Sequence, residues 1–255
     1  MTDRPAPRDP WSALRALTSA RIGLARAGAS LATAPLLELR LAESRARDAV
    51  HEALDAAQLA VDLAPIAGPA LTVASAVQDR RSYLMRPDLG RRLAPGAEAL
   101  LAPHAGACDL ALIVADGLSA RAVQTHAAPV LAGLIPALRA NSWRIAPVVI
   151  VRHGRVAVGD AVAAALGASS VAVLIGERPG LSAPDSMGAY LTWRPGPHTT
   201  DADRNCVSNI RPEGIGYAEA GETIARLLGA MRARGVSGVR LKDETEGRLI
   251  DTDGS

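Results

Sequence analysis

The 255-residue chain contains no phenylalanine, one lysine (Lys242) and two cysteines, and only 2% of its residues are aromatic. Two cysteines, Cys108 and Cys206, cannot build a disulfide framework. The longest uninterrupted apolar run, about Leu110–Ala115, is far shorter than the ~20 residues a bilayer span needs. The start, Met1-Thr2-Asp3-Arg4-Pro5, lacks the apolar core of a secretory signal, so a reducing cytoplasm is the expected compartment. Net charge is only +2, from 28 basic and 26 acidic residues. That balance argues against a protein built to neutralise nucleic-acid phosphates.

Further absences narrow the chemistry. No G-x-G-x-x-G follows a candidate strand, no G-x-x-x-x-G-K-[ST] occurs, and Gly214-x-Gly216 lacks its third glycine, so NAD and ATP are poor candidates. The five histidines, His51, His104, His126, His153 and His198, include no i,i+3 or i,i+4 pair, and no metal site is expected.

What is present is an apolar, alanine-rich chain: 49% of residues are hydrophobic and 52 are alanine. Such a core fills less volume per residue, so its helices must approach closely. The first ten residues hold three prolines and read as a disordered arm. Trp11, Leu14 and Leu17 recur at helical spacing, and Thr18 and Ser19 are candidate caps for a helix that follows. Pro35 and the leucines after it start a longer helix, expected to reach about Leu59. Ala64–Ala76 reads as a connection or short strand containing Leu71-Thr72-Val73. The arginine cluster around Tyr83, from Asp79 to Arg92, fits either a solvated loop or a docking surface.

From Cys108 the rhythm changes. Short apolar runs at Asp109–Asp116, Arg144–Val151, Ser170–Gly176 and Gly188–Trp193 alternate with helical stretches at Ala120–Arg139, Asp160–Leu166 and Ala218–Arg234; Gly238–Leu241 is a candidate final strand. This pattern predicts an α/β fold: a Rossmann-like open, parallel-type sheet with flanking helices, preceded by an N-terminal helical region. Its organisation reads as an arm over 1–17, a mainly helical region over 18–97, a sheet unit over 98–242 and an acidic mobile tail over 243–255. Ligands in such sheets bind beyond the carboxyl ends of strands, which points to Asp116–Ser119, His153–Val156 and Glu177–Ser182. Glu177 at a strand end is a carboxylate acceptor or half of an ion pair with Arg178. Cys206 lies in the polar stretch Asp201–Asn209, read as a loop; it is a plain loop cysteine, a ligand contact or, with a histidine nearby, a nucleophile.

Several uncommon words stand in one order: Ser19–Gly28, Tyr83–Arg92, Ala115-Asp-Gly-Leu-Ser119, Val151–Val156, Gly176-Glu-Arg-Pro-Gly-Leu181 and Asp203-Arg-Asn-Cys-Val-Ser-Asn209. On them the chain, from about Thr18 to Leu241, resembles the small (light) subunit of ethanolamine ammonia-lyase. The resemblance implies a carbon–nitrogen lyase active only with its large subunit. That complex turns ethanolamine into acetaldehyde and ammonia by radical chemistry on adenosylcobalamin. It implies a cobalamin-binding role for the 98–242 unit, with Val156, Glu177 and Cys206 as cofactor-binding positions and the substrate site on the large subunit. It further implies base-on binding of the cofactor, in keeping with the absence of D-x-H-x-x-G, and contacts to the large subunit through Arg80, Arg81 and Tyr83. The resemblance also implies that many relatives carry a longer N-terminal extension that can target a bacterial microcompartment; this chain has only about seventeen residues before the match, so the cytoplasm is the expected location and a microcompartment the alternative. A free-standing Rossmann-like binding protein or sensor is the competing function, and a cysteine hydrolase the third.

Overall fold

The computed structural model describes residues 10–18 and 20–241. The readings of 1–9 as an arm, of Ser19 as a cap and of the acidic tail 243–255 lie outside the described residues.

The chain opens with one helical turn, α1 (Ser12–Arg15), and a two-residue hairpin, β1 (Arg26–Ala27) and β2 (Ser30–Leu31). Thr18 Oγ1 accepts from the Ala20 N–H at 3.1 Å, but no helix follows it. The long helix expected to reach Leu59 is two helices, α2 (Thr33–His51) and α3 (Ala56–Ala67). Glu52 is extended, and Asp55 starts α3 afresh by accepting from the Gln58 N–H at 2.9 Å. α3 carries Pro65 near its end, so the segment read as a connection from Ala64 is helical until Gly68. There φ is +81°, a conformation glycine adopts freely. Then come β3 (Leu71–Ala74), α4 (Arg80–Met85), α5 (Ala97–Leu101) and β4 (Cys108–Ala115).

The remaining elements are α6 (Ala120–Ala140), β5 (Val149–Arg152), α7 (Val158–Leu166), β6 (Ala168–Gly176), β7 (Met187–Trp193), β8 (Arg204–Ile210) and α8 (Tyr217–Arg234). Two expectations are corrected here. The polar stretch 204–210, read as loop, is a strand. Gly238–Leu241, read as a strand, begins with a 3-10 turn over Gly238–Arg240, because Asn205 holds its ends through Gly238 and Leu241 backbone atoms. The run from Arg144 is extended only from Val149, past Pro147.

Six strands form one open mixed sheet in the order β3-β5-β4-β6-β7-β8. β3, β5, β4 and β6 are parallel; β7 and β8 add antiparallel at one edge. This is the α/β class that the alternating runs predict, with the parallel arrangement limited to four strands.

The fully buried strands split their side chains between two layers. Leu110, Leu112 and Val114 of β4 face α3, α6 and α8, whereas Ala111, Ile113 and Ala115 face α5 and α7. Burying one such aliphatic side chain contributes ~1.5–3 kcal/mol, so these layers fix the sheet between its helices. Close helix approach is visible at Gly159 of α7, where a Cβ would lie 2.5 Å from Val173 Cγ2. Among the described residues, no helix is long and apolar enough to cross a membrane.

Candidate functional site

The carboxyl ends of the parallel strands carry the three segments singled out from the sequence. Asp116, the residue after β4, is 2% exposed. Its Oδ1 accepts from the Gly154 N–H at 3.0 Å; Oδ2 lies 3.4 Å from His153 Nδ1 and 3.9 Å from Arg80. Arg80 donates to the Val50 carbonyl at 2.6 Å and the Gly117 carbonyl at 2.7 Å. Burial lowers its pKa, and Asp116 opposes that shift.

Tyr83 is fully buried, with the Arg80 guanidinium 4.7 Å and that of Arg155 4.2 Å from its ring centroid. Its hydroxyl donates to the Gly154 carbonyl at 3.3 Å, and burial pushes its pKa up. Tyr83 is therefore internal, a correction to its reading as a docking contact, whereas the Arg80 side chain stays 15% exposed. Arg81, the third residue so read, is exposed.

A cleft of about 250 Å³ opens beside this cluster, lined by residues that include Tyr83, Leu118, Val156, Glu177 and Tyr190. Its floor is set by close backbone contact between two strand ends. A Cβ on Gly117, where φ is +56°, would lie 2.3 Å from the Gly176 carbonyl oxygen, and the Leu118 N–H donates to that oxygen at 2.9 Å. At the N-terminus of α6, Ser119 Oγ accepts from the Ala122 N–H and donates to the Pro184 carbonyl. The carbonyl of Val156 accepts from the Gly159 N–H at 3.1 Å, and Val156, half-buried, lines the cleft.

Glu177 follows β6 directly. Its Oε1 accepts from Ser208 Oγ at 2.6 Å; its Oε2 accepts from the Asn209 N–H at 3.2 Å and from the Ser186 hydroxyl. One carboxylate thus joins the ends of β6, β7 and β8. Arg178, offered as its ion-pair partner, is exposed, and the partners Glu177 takes are neutral hydroxyl and amide donors.

Cys206 sits opposite Tyr190 in the β7–β8 ladder, with part of the residue exposed at the surface. Desolvation raises the pKa of the thiol, and Tyr190's own burial, ahead of the neighbouring Cys206, pushes the phenol up to about 12. A thiol held neutral in this way is a poor nucleophile. The residues flanking Cys206 anchor the strand. Arg204 makes a paired contact to Asp160 of α7 at 2.8 and 2.6 Å, and Asn205 holds the 238–241 turn.

A family model described as ethanolamine ammonia-lyase light chain (EutC) matches residues 8–242. The chain belongs to the ethanolamine ammonia-lyase light-chain family. The ethanolamine ammonia-lyase small subunit of Ralstonia nicotianae is 51% identical over 248 residues, covering 96% of this chain and 92% of that protein. That of Xanthomonas campestris pv. campestris is 52% identical over 251 residues, covering 97% and 92%. That of Azotobacter vinelandii is 50% identical over 260 residues, covering 100% and 96%. Matches of this extent to lyase subunits disfavour a free-standing sensor.

Val156 and Glu177 line one cleft with Tyr190, and Cys206 lies opposite Tyr190 on the neighbouring strand. Tyr190, Ser186 and Ser208 are the neighbours that sequence reasoning did not assign to the site, whereas Arg155 lies in the singled-out segment His153–Val156. Ser208 had a signal: it lies two residues from Cys206, hence on the same face of any strand through both.

Proposed function

We propose that this chain is the small subunit of an adenosylcobalamin-dependent ethanolamine ammonia-lyase, forming one wall of a cofactor site completed by the large catalytic subunit. The observation that carries the reading is the cleft itself. At about 250 Å³ it falls below the ~300–1,000 Å³ of pockets that enclose a drug-sized ligand. A corrinoid is larger still, so this chain suits one face of it and needs a second chain for the other.

The donor set fits such a ligand. A corrin rim is apolar in its ring and carries amide side chains at its edge. Val156 and Leu118 offer apolar surface, the Glu177 carboxylate offers an acceptor for an amide N–H, and Cys206 with Tyr190 closes the side nearest β8. When bound, adenosylcobalamin supplies the radical that starts the reaction. The part of this chain is to bind, to orient and to exclude water. Glu177 is fixed before binding by three internal donors, and Tyr83 and Arg155 pack the turn that presents Val156. Deamination of ethanolamine to acetaldehyde and ammonia is placed on the large subunit.

The test is acetaldehyde release from ethanolamine plus adenosylcobalamin, with this chain alone, a cognate large subunit alone, and both mixed. Turnover is expected only in the mixture. A folded large subunit that stays inactive in the mixture overturns the assignment.

A further inference from the structure

A carboxylate has about four lone-pair positions on its two oxygens. In Glu177 three are taken from within the chain. Oε2 carries two donors, the Asn209 N–H and the Ser186 hydroxyl, and Oε1 carries one, the Ser208 hydroxyl. One position remains, on Oε1.

The carboxylate is also held sterically. A Cβ on Gly188 would lie 2.8 Å from Oε1, so only glycine on β7 leaves it room to lie against the strand. The backbone is shaped for this contact. β7 and β8 slip register between Met187 and Ala189, and Asn209 adopts a left-handed φ of +58°. Those departures turn the Asn209 N–H and the Ser208 hydroxyl towards the same group.

We propose that Ser208, with Ser186 and the glycine at 188, turns Glu177 into a fixed acceptor for a single amide N–H of the ligand in the cleft, and that Ser208 is a positioning residue for that contact. The count of free lone pairs limits the ligand group to a single donor, and the amides of a corrin rim supply one. A guanidinium binding in its paired mode needs a free position on each oxygen, and Oε2 has none. A primary amide needs one position on one oxygen, which is what Oε1 retains. Ser208 is itself exposed on β8, two residues beyond Cys206 on the same face, so its hydroxyl costs little to hold and its removal leaves no buried hole.

This inference rests on the reading of the cleft as a corrinoid wall, and the experiment separates the two. Equilibrium dialysis of cyanocobalamin against the complex with the large subunit reads binding without turnover; steady-state kinetics with adenosylcobalamin separates KM from kcat. Ser208→Ala is expected to weaken cyanocobalamin binding about tenfold, the loss of one hydrogen bond to a charged group. The loss appears in KM for the cofactor rather than in kcat. Ser208→Thr, which keeps the hydroxyl, restores binding. In a Glu177→Ala background, Ser208→Ala adds less than about twofold, because the group it positions is gone. The proposal is overturned, with the corrinoid reading intact, if Glu177→Ala weakens binding and Ser208→Ala does not. It is overturned too if the Ser208→Ala loss persists undiminished in the Glu177→Ala background. A wild-type complex that binds no cyanocobalamin overturns both.

Discussion

Two neighbouring parallel strands end in a carboxylate, and the molecule treats the two in opposite ways. Asp116 after β4 is 2% exposed and faces the Arg80 guanidinium and the His153 imidazole, with one backbone N–H. Glu177 after β6 is half-buried and takes only neutral donors, two hydroxyls and one amide. The first fastens α4 and the 153–155 turn to the end of the sheet. The second ties three strand ends together beside the cleft. Two carboxylates at the same place on neighbouring strands thus take partners of different charge, and the proposed binding role falls to the one whose partners are neutral.

The largest effect is expected from breaking the first arrangement. Asp116→Asn keeps the shape and removes the charge opposite Arg80, whose side chain is 15% exposed. Breaking a buried ion pair from one side costs ~3–5 kcal/mol; about 3 is expected here, because Arg80 keeps two carbonyl acceptors. For a chain of this size that lowers Tm by roughly 6–12 °C. The equivalent change at the second site, Glu177→Gln, is expected to cost about 1 kcal/mol or less, since an amide oxygen in the Oε2 position keeps the Ser186 and Asn209 donors and the Ser208 hydroxyl can turn to accept from the amide NH2. Thermal unfolding of the two variants beside wild type decides the matter. Equal losses would erase the distinction between a fastening carboxylate and a binding one.

The same contrast explains what could be read from the amino-acid order. The runs at Leu110–Ala115 and Ser170–Gly176 announce strands because both faces of them are covered, so every position is apolar. β8 announces nothing. Its buried positions are Arg204, Val207 and Ile210, and the arginine is buried only because Asp160, 44 residues earlier, neutralises it. Tyr83 misleads for the same reason: a tyrosine among arginines looks like a docking surface until Arg155, 72 residues away, closes over it. Glu177 is legible because a strand end followed by a turn is a local signal. The clamp around it is not, because Ser208 shares its face only once 204–210 is known to be a strand. The break between α2 and α3 has a visible cap in Asp55, masked by alanine and leucine on either side.

A third buried titratable group sharpens the comparison, with the smallest expected effect. His126 of α6 is 2% exposed; its Nδ1 shares a 2.9 Å hydrogen bond with the Tyr217 hydroxyl, while Nε2 is 3.9 Å from Asp185 and makes no hydrogen bond. Asp185 lies in the β6–β7 connection, at the Glu177 end of the rim. Burial lowers the pKa of His126 below its ordinary value of 6.5, against the opposing pull of Asp185. As pH falls below about 6.5, the unfolded chain takes up a proton that the folded chain resists, so stability falls with pH down to the folded pKa. His126→Gln keeps a side chain able to meet Tyr217 and removes the titration. Wild type is expected to lose a few degrees more in Tm than His126→Gln between pH 7.5 and 5.5, in a window above that of the carboxylates. Parallel Tm curves for the two proteins would place the acid sensitivity elsewhere.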